Sequence, residues 1–234
     1  MKKVLLSLLA LCAASGLWAQ DYERMSAYEE ELYGSKMHVN GSFSAMRQVR
    51  QYWSREYDRL KCYENYQMAL CGDGEAVFKV TIPSRLLFEA NDSTLLRQAD
   101  GVLRPFLRLL RGKEAKASVV VACGSDNNGS TDYLDSFTCN RARAICRWME
   151  KQGVEAAMYG YGIGNHVPLT DNSNRAAREE NRRVTLYLVP NRQMMKLAKK
   201  GRLNMPEQVS PAMNMPKSAQ ITQNYDVENE ADMN

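Results

Sequence analysis

The feature that most constrains this chain is a regular alternation of strand-like and helix-like patterns between residues 76 and 190. Apolar residues alternate with polar ones over 76–82 and 184–188, and residues 117–122 form a nearly continuous apolar run, which is typical of a buried strand. Helical spacing marks 95–110 and 133–152, a further strand is predicted at 156–161, and a short helix at 174–180. The order predicts an α/β (α+β) sandwich, with helices on one face of a mixed sheet.

Several residues mark where these elements should begin, bend or end. Asn91-Asp92-Ser93 offers helix caps, and Pro105 should kink or divide the helix that follows. Gly153 is a natural stop for the second helix. The glycines that follow the third strand should open a long polar loop: Gly160, Gly162 and Gly164.

The first 19 residues are typical of a signal peptide. Lys2 and Lys3 precede an apolar stretch from Val4 to Ala14, and cleavage is expected after Ala19. Cys12 leaves lipid attachment open as an alternative. Cleavage removes two lysines from the formal net charge of +4 and leaves +2, which is too weak to indicate nucleic-acid binding.

Residues 20–74 are predicted to be a helical segment that ends at the turn Cys71-Gly72-Asp73-Gly74. Apolar side chains recur there at heptad-like spacing: Met46, Val49, Trp53, Leu60 and Tyr63, with Glu56 interrupting the series. Such a helix either packs on the main domain at 75–190 or binds an envelope protein or a second copy of the chain. Beyond Pro190, residues 191–234 are basic at first and then rich in Met, Asn, Gln and Pro, so we expect a mostly disordered tail.

The cysteines and the absence of known motifs argue against a metal site or a catalytic centre. Five cysteines remain after Cys12 is set aside, and Cys62 with Cys71 is the first choice of disulfide, although the pairing stays open. Cys139 and Cys146 are seven residues apart on one predicted helix, about 10 Å at 1.5 Å per residue, which is too far for a bridge. No CxxC motif, serine elbow or phosphate-binding loop is present. We therefore expect no enzyme, no cofactor and no metal.

The strongest candidate for ligand chemistry is a carboxylate and a guanidinium on either side of one loop. Asp126 follows the buried strand, and Arg141 lies on the first turns of the next helix. A carboxylate binds an ammonium group and a guanidinium binds a carboxylate, so the two suit a zwitterion. The spacing alone fits equally a structural aspartate and a surface arginine.

Four landmarks around this loop occur in the order and near the spacing of a known family. They are Phe88-Glu89-Ala90-Asn91-Asp92-Ser93, then Ser125-Asp126-Asn127-Asn128-Gly129, then Thr138 with Arg141-Ala142, and last Gly162 to Gly164, Pro168, Asn172 and residues 178–184. Residues 76–189 thereby resemble the OmpA-like C-terminal domain, the peptidoglycan-binding module of OmpA, Pal and MotB.

The resemblance implies that Asp126 and Arg141 hold the diamino acid of the peptidoglycan stem peptide, of the diaminopimelate type. It also places Asn91, Asn128 and Arg182 at the pocket, although a helix cap, a turn former and a sheet-edge ion pair are the respective alternatives. It implies non-covalent attachment to the cell wall from the periplasm, at the outer membrane. A scaffold protein of the envelope, acting through residues 20–74 and the tail, is the alternative.

The chain departs from the family pattern at three positions. Cys123-Gly124 replaces the family's Gly-His, and Leu134 replaces an asparagine close to the ligand. Affinity and ligand therefore stay open. A disulfide between Cys123 and Cys139 would join the loop to the helix, which is a further alternative for the cysteines.

Overall fold

A computed structural model describes residues 26–112 and 115–203. The predicted signal peptide, Cys12 and the tail beyond residue 203 lie outside these residues. Within the described part of the chain, no helix is both long and apolar enough to cross a membrane.

Five strands form one mixed sheet. They are β1 (Gln67–Cys71), β2 (Val77–Pro83), β3 (Ala117–Gly124), β4 (Met158–Gly164) and β5 (Arg183–Pro190), in the spatial order β1-β2-β5-β3-β4. Only β3 and β4 run parallel. The last strand, β5, lies in the centre between β2 and β3, and all its residues are buried. The predicted fold class is confirmed.

Eight α-helices surround the sheet within the described residues. They are α1 (Ala27–Glu29), α2 (Ser35–Met37), α3 (Phe43–Leu60), α4 (Ala99–Leu103), α5 (Leu107–Leu110), α6 (Thr131–Lys151), α7 (Arg175–Asn181) and α8 (Arg192–Lys199). A π-helical turn, Glu30–Gly34, joins α1 to α2. A 3-10 turn at Arg104–Phe106 separates α4 from α5, so the predicted division at Pro105 is confirmed.

The start of that helix was predicted too early. Asp92 Oδ1 accepts hydrogen bonds from the backbone N–H groups of Ser93 (2.6 Å) and Thr94 (2.9 Å), which form a local turn instead of a helix cap. Leu95 then forms a single β-bridge with Phe88, and α4 begins only at Ala99.

Helices lie on both faces of the sheet, so the prediction of one covered face is wrong. Alternate residues of β5 point to opposite sides, and α6 packs on the side of Val184. On the other side, the ring of Tyr33 in the π-helical turn lies 5.6 Å from the ring of Tyr187 and 5.4 Å from that of Tyr161. The π-helical turn of the N-terminal segment therefore lies on the second face, while α3 packs on Phe78 on the same face as α6.

A buried hydrogen-bonded cluster holds α1 and the π-helical turn against the sheet. Tyr33 donates its hydroxyl to Glu29 at 2.5 Å, and Tyr187 donates to the same oxygen at 3.1 Å. Burial raises the pKa of the Glu29 carboxyl, but hydrogen bonds from Tyr33, Ser26 and Tyr187 outweigh it and leave this pKa below its ordinary value. The buried carboxylate thus ties α1 to the central strand.

Two segments differ from their predicted structure. Gln67–Cys71, expected to be helical, is strand β1, and the turn after it connects β1 to β2, with positive φ at Gly72 and Gly74. Residues 191–203, expected to be disordered, include α8, which packs on α3 through buried Met194, Met195 and Ala198. In both cases a few apolar residues are enough to form the strand or helix, because a neighbouring element completes their burial.

Helix α3 packs on the main domain, the first of the two predicted alternatives. Trp53 stacks on Phe78 of β2 at 5.6 Å and donates its Nε1–H to the carbonyl of Ala76 at 2.7 Å. Glu56, which interrupts the apolar series, is fully buried and forms ion pairs with Arg59 (2.9 Å) and Arg108.

The glycines of β4 do not open a loop as predicted; they let α6 approach the sheet. A Cβ atom at Gly162 would lie 2.3 Å from the backbone nitrogen of Cys139, and one at Gly160 would lie 3.2 Å from Cys146 Sγ. The strand needs glycine on this side because the helix backbone lies directly against it.

No disulfide joins any two of the five cysteines in the described chain, so neither the Cys62–Cys71 bridge nor a Cys123–Cys139 bridge is present. Burial raises the pKa of the Cys146 thiol to about 11, with a further contribution from Glu150. The predicted stop of α6 at Gly153 is confirmed: its φ is +77°, and Val154 N–H bonds back to Met149.

Candidate functional site

Asp126 lies just past the end of β3, in a loop held against the end of β4. The preceding residue, Ser125, donates its backbone N–H to the carbonyl of Gly164 at 2.7 Å. Asp126 is only 4% exposed, and its carboxylate accepts three hydrogen bonds. Two come from Asn128, through the backbone N–H (3.1 Å) and Nδ2 (3.3 Å), and one from Arg182 Nη1 (3.1 Å). The fold therefore places three of the predicted site residues, Asp126, Asn128 and Arg182, in direct contact.

Arg182 stands between two carboxylates. Besides Asp126, it donates through Nη2 and Nε to Glu179 Oε2 at 2.7 and 3.1 Å. Glu179 also pairs with Arg85 at 3.5 Å. About a third of the Arg182 side chain is exposed, so this network opens to solvent on one side.

Arg141 belongs to a neighbouring network and organises a second loop. It lies on the third turn of α6, further along the helix than predicted. Its Nε donates to the carbonyl of Asp92 at 2.8 Å, and Nη2 donates to that of Glu89 at 2.9 Å. Its guanidinium lies over the rings of Phe88 (4.8 Å) and Phe137 (4.2 Å). Arg141 thus holds the loop at 88–92 against α6.

Asn91 is in the loop that Arg141 holds. It is exposed and has a φ of +54°, a conformation that asparagine tolerates better than most residues. It therefore does not cap a helix, which was the alternative predicted for it. Asn91 lies in the loop that Arg141 of α6 bonds, while Asp126, Asn128 and Arg182 are joined by hydrogen bonds.

Electrostatics link the two networks. Burial lowers the pKa of the Arg141 guanidinium, and repulsion from Arg182 lowers that pKa further. No hydrogen bond within the described residues joins Asp126 to Arg141, and none uses Arg141 Nη1. The candidate site therefore consists of a buried carboxylate paired with Arg182, and of the Arg141 guanidinium in the neighbouring network.

Two further residues support this arrangement: Asn181, which the sequence analysis did not assign to the site, and Leu134, which it named as a departure from the family pattern. Asn181, fully buried, accepts from the backbone N–H groups of Leu169 (2.6 Å) and Thr170 (3.0 Å) and so fixes the loop before α7. Leu134 is buried under Gly129 of the Asp126 loop. A charged and amide-rich run at 178–183 was the available signal for Asn181 and Glu179.

Metal ligation has no basis in the described part of the chain, where no group of three or more His, Cys, Asp or Glu side chains is placed to hold an ion.

Comparisons with known proteins support the fold and one domain. Residues 87–182 match the model of the OmpA family. A putative MotB-like protein from Desulfovibrio vulgaris has a similar structure, with a TM-score of 0.53 and 21% identity over 62% of this chain and 96% of that one. The cell wall anchor of the T6SS from Pseudomonas aeruginosa gives a TM-score of 0.50 and 19% identity over 61% and 99% of the two chains. No curated protein sequence matches the chain.

Proposed function

We propose that this chain, whose residues 87–182 form a domain of the OmpA family, binds peptidoglycan non-covalently through the diamino acid of the stem peptide. Asp126, Arg141, Asn91, Asn128 and Arg182 form the site. The binding tethers the protein, or an envelope assembly that contains it, to the cell wall from the periplasmic side of the outer membrane. The chain acts as a binding protein and not as an enzyme.

The observation that carries the proposal is the pairing of the buried Asp126 carboxylate with Arg182, whose side chain is partly exposed to solvent. A carboxylate has about four positions for accepting hydrogen bonds, and Asp126 uses three of them within the protein. The remaining position suits an ammonium group. The fold around Asp126 is therefore arranged to stabilise a negative charge that still has capacity for a ligand.

The guanidinium groups suit the other end of a diamino acid. Arg141 is fixed in place by two carbonyl groups and two aromatic rings, so little side-chain freedom would be lost on binding a carboxylate. Its Nη1 is the nitrogen that points to no protein acceptor in the described chain. Arg182, paired with Asp126, adds positive charge beside it. A free ammonium and a free carboxylate on one carbon are what this set of charges complements.

The wall-anchoring part of the proposal draws on the comparisons. The similar Pseudomonas aeruginosa structure is described as a cell wall anchor, and this chain spans almost all of its length. The scaffold alternative has less support, because the apolar side of α3 is buried in the core and α8 packs beside it. A partner protein would have to contact the outer, polar sides of these helices.

A sedimentation assay with purified peptidoglycan sacculi tests the proposal. The mature chain from residue 20 is expected to pellet with sacculi, and Asp126→Asn and Arg141→Ala to stay in the supernatant. Asp132→Asn and Arg143→Ala are matched controls, because both residues are exposed on the same helix, and they should pellet like wild type. Competition by free diaminopimelate should release the wild-type protein.

The assay separates the two functions. If Asp126→Asn and Arg141→Ala pellet as well as their controls, the pocket is wrong. If the wild-type chain does not pellet, wall binding fails and the scaffold alternative gains.

A further inference from the structure

An aromatic and cationic stack extends from the candidate site to the surface. The guanidinium of Arg141 lies between Phe88 and Phe137, at 4.8 and 4.2 Å from the two ring centroids. Tyr133 then stacks on Phe137, with 5.7 Å between centroids and 10° between planes. The order Phe88, Arg141, Phe137, Tyr133 runs from the buried loop outward, and the last ring is 50% exposed.

Tyr133 also borders the loop that carries Asp126. A Cβ atom at Gly129 would lie 3.1 Å from Tyr133 Cδ1, so the ring edge rests against this loop. An exposed aromatic ring is therefore fixed in orientation at the rim of a polar site. The Tyr133 ring is not part of the hydrophobic core, because half of the residue is exposed to solvent.

We propose that Tyr133 binds the glycan of peptidoglycan, by stacking on the C–H face of a pyranose ring, while Asp126 and Arg141 hold the attached stem peptide. This inference rests on the proposed function and assigns a sugar subsite to the same site. The face of an aromatic ring carries partial negative charge and the C–H groups of a sugar carry partial positive charge, so the two attract as they shed water.

Two properties of the ring and the length of the ligand favour this role. Phe137 supports Tyr133 from below and limits its rotation, so little entropy is lost when a ligand stacks on it. The ring adjoins Gly129, three residues from Asp126, a span of at most about 11 Å for an extended chain. A diamino acid at the third position of a stem peptide lies about 10 Å from its sugar when extended. One covalent ligand can therefore contact both places, and the second contact is intramolecular.

Titration calorimetry with two soluble ligands tests the inference on the mature chain. One ligand is the stem tetrapeptide alone, and the other is the same tetrapeptide on its disaccharide. Wild type is expected to bind the disaccharide peptide about 3- to 10-fold more tightly, which corresponds to the 0.5–1.5 kcal/mol typical of aromatic stacking. Tyr133→Ala should bind both ligands with the affinity that wild type has for the peptide alone.

Two further variants define the cause. Tyr133→Phe keeps the aromatic face and should retain the preference, while Tyr133→Leu keeps an apolar side chain without that face and should lose most of it. Phe43→Ala is the control, because Phe43 is 78% exposed at the start of α3 and has no role in the site, and it should leave both affinities unchanged.

The outcomes distinguish this inference from the proposed function. If the peptide binds and the disaccharide adds nothing, the sugar subsite is refuted while the peptide site stands. If Tyr133→Ala weakens both ligands equally, Tyr133 positions Arg141 and does not contact sugar, which also refutes the inference. If neither ligand binds the wild-type chain, the proposed function fails and this inference fails with it.

Discussion

Arg141 should stabilise the fold as well as bind ligand, and Arg141→Met tests this. Methionine keeps an apolar stem between Phe88 and Phe137 but removes the charge and the bonds to the Glu89 and Asp92 carbonyls. A hydrogen bond from a charged donor contributes about 1.5–3 kcal/mol. We take the low end for each, because both carbonyls belong to exposed residues that water can reach.

The expected loss in the free energy of unfolding is about 3 kcal/mol, from two hydrogen bonds at about 1.5 kcal/mol each. The cation–π contacts add little to this loss, because methionine sulfur also attracts aromatic rings by about 0.3–1.5 kcal/mol. With a slope of about 2 kcal/mol per molar urea, the midpoint should fall by about 1.5 M. Arg141→Lys keeps the charge and one bond, so its midpoint should fall by about half as much.

Equilibrium urea unfolding, followed by far-ultraviolet circular dichroism and tryptophan fluorescence, measures the effect. Arg143→Met is the control, because this neighbouring side chain is exposed and its loss should change stability by less than about 0.5 kcal/mol. Equal midpoints for the Arg141 and Arg143 variants would refute the two carbonyl contacts. A large shift would mean that a binding defect in an Arg141 variant must be measured below the unfolding transition.

Three other changes test separate features. Glu56→Gln should lower the free energy of unfolding by about 2–4 kcal/mol in urea titrations, since it leaves two arginines unpaired around a buried site; an effect under about 0.5 kcal/mol would contradict the buried ion pairs. Gly162→Ala should lower the melting temperature by at least the equivalent of about 3 kcal/mol, because its Cβ would displace α6; a wild-type melting temperature would show that α6 lies further away. A variant with Cys146 as its sole cysteine should be alkylated at pH 8 about a hundredfold more slowly than a small-molecule thiol with a pKa near 8.5. The alkylation rate should rise until about pH 11. A rate that is already constant at about pH 9 would contradict the raised pKa of Cys146.

The sequence predicted the strands and helices of the central domain well, because each depends on a local pattern. The apolar run at 117–122 and the alternation at 184–188 needed only their own residues to be recognised as strands. Strand β1 and helix α8 were missed because each presents only a short apolar pattern. Leu70 becomes buried through pairing with β2, the next strand along the chain, and Met194 becomes buried near α3, which is distant in sequence.

The glycines of β4 show the same limit. Gly160 and Gly162 lie in a strand at positions where α6 packs too closely for a side chain. The sequence shows that these residues are glycines, but it does not show the helix that requires them. At the candidate site, the residues Asp126, Arg141, Asn128 and Arg182 were predicted from charge and motif, yet the hydrogen bonds that each one makes were not. Arg182 donates a hydrogen bond to Asp126 from 56 residues away. Arg141 donates to backbone carbonyl groups, which every residue has, so the sequence does not indicate which ones it bonds.

The central position of β5 has a consequence for how the chain folds. Among the strands of the described residues this one comes last in sequence, yet β2 and β3 meet only through it. Until residue 190 is available, the β1–β2 hairpin and the β3–β4 pair have no common neighbour, and Glu29 lacks the tyrosine that anchors its helix to the sheet. Folding must therefore wait for nearly the whole domain, and the long sequence separation of these contacts should make it slow. A chain truncated before β5 should stay unfolded and open to proteases.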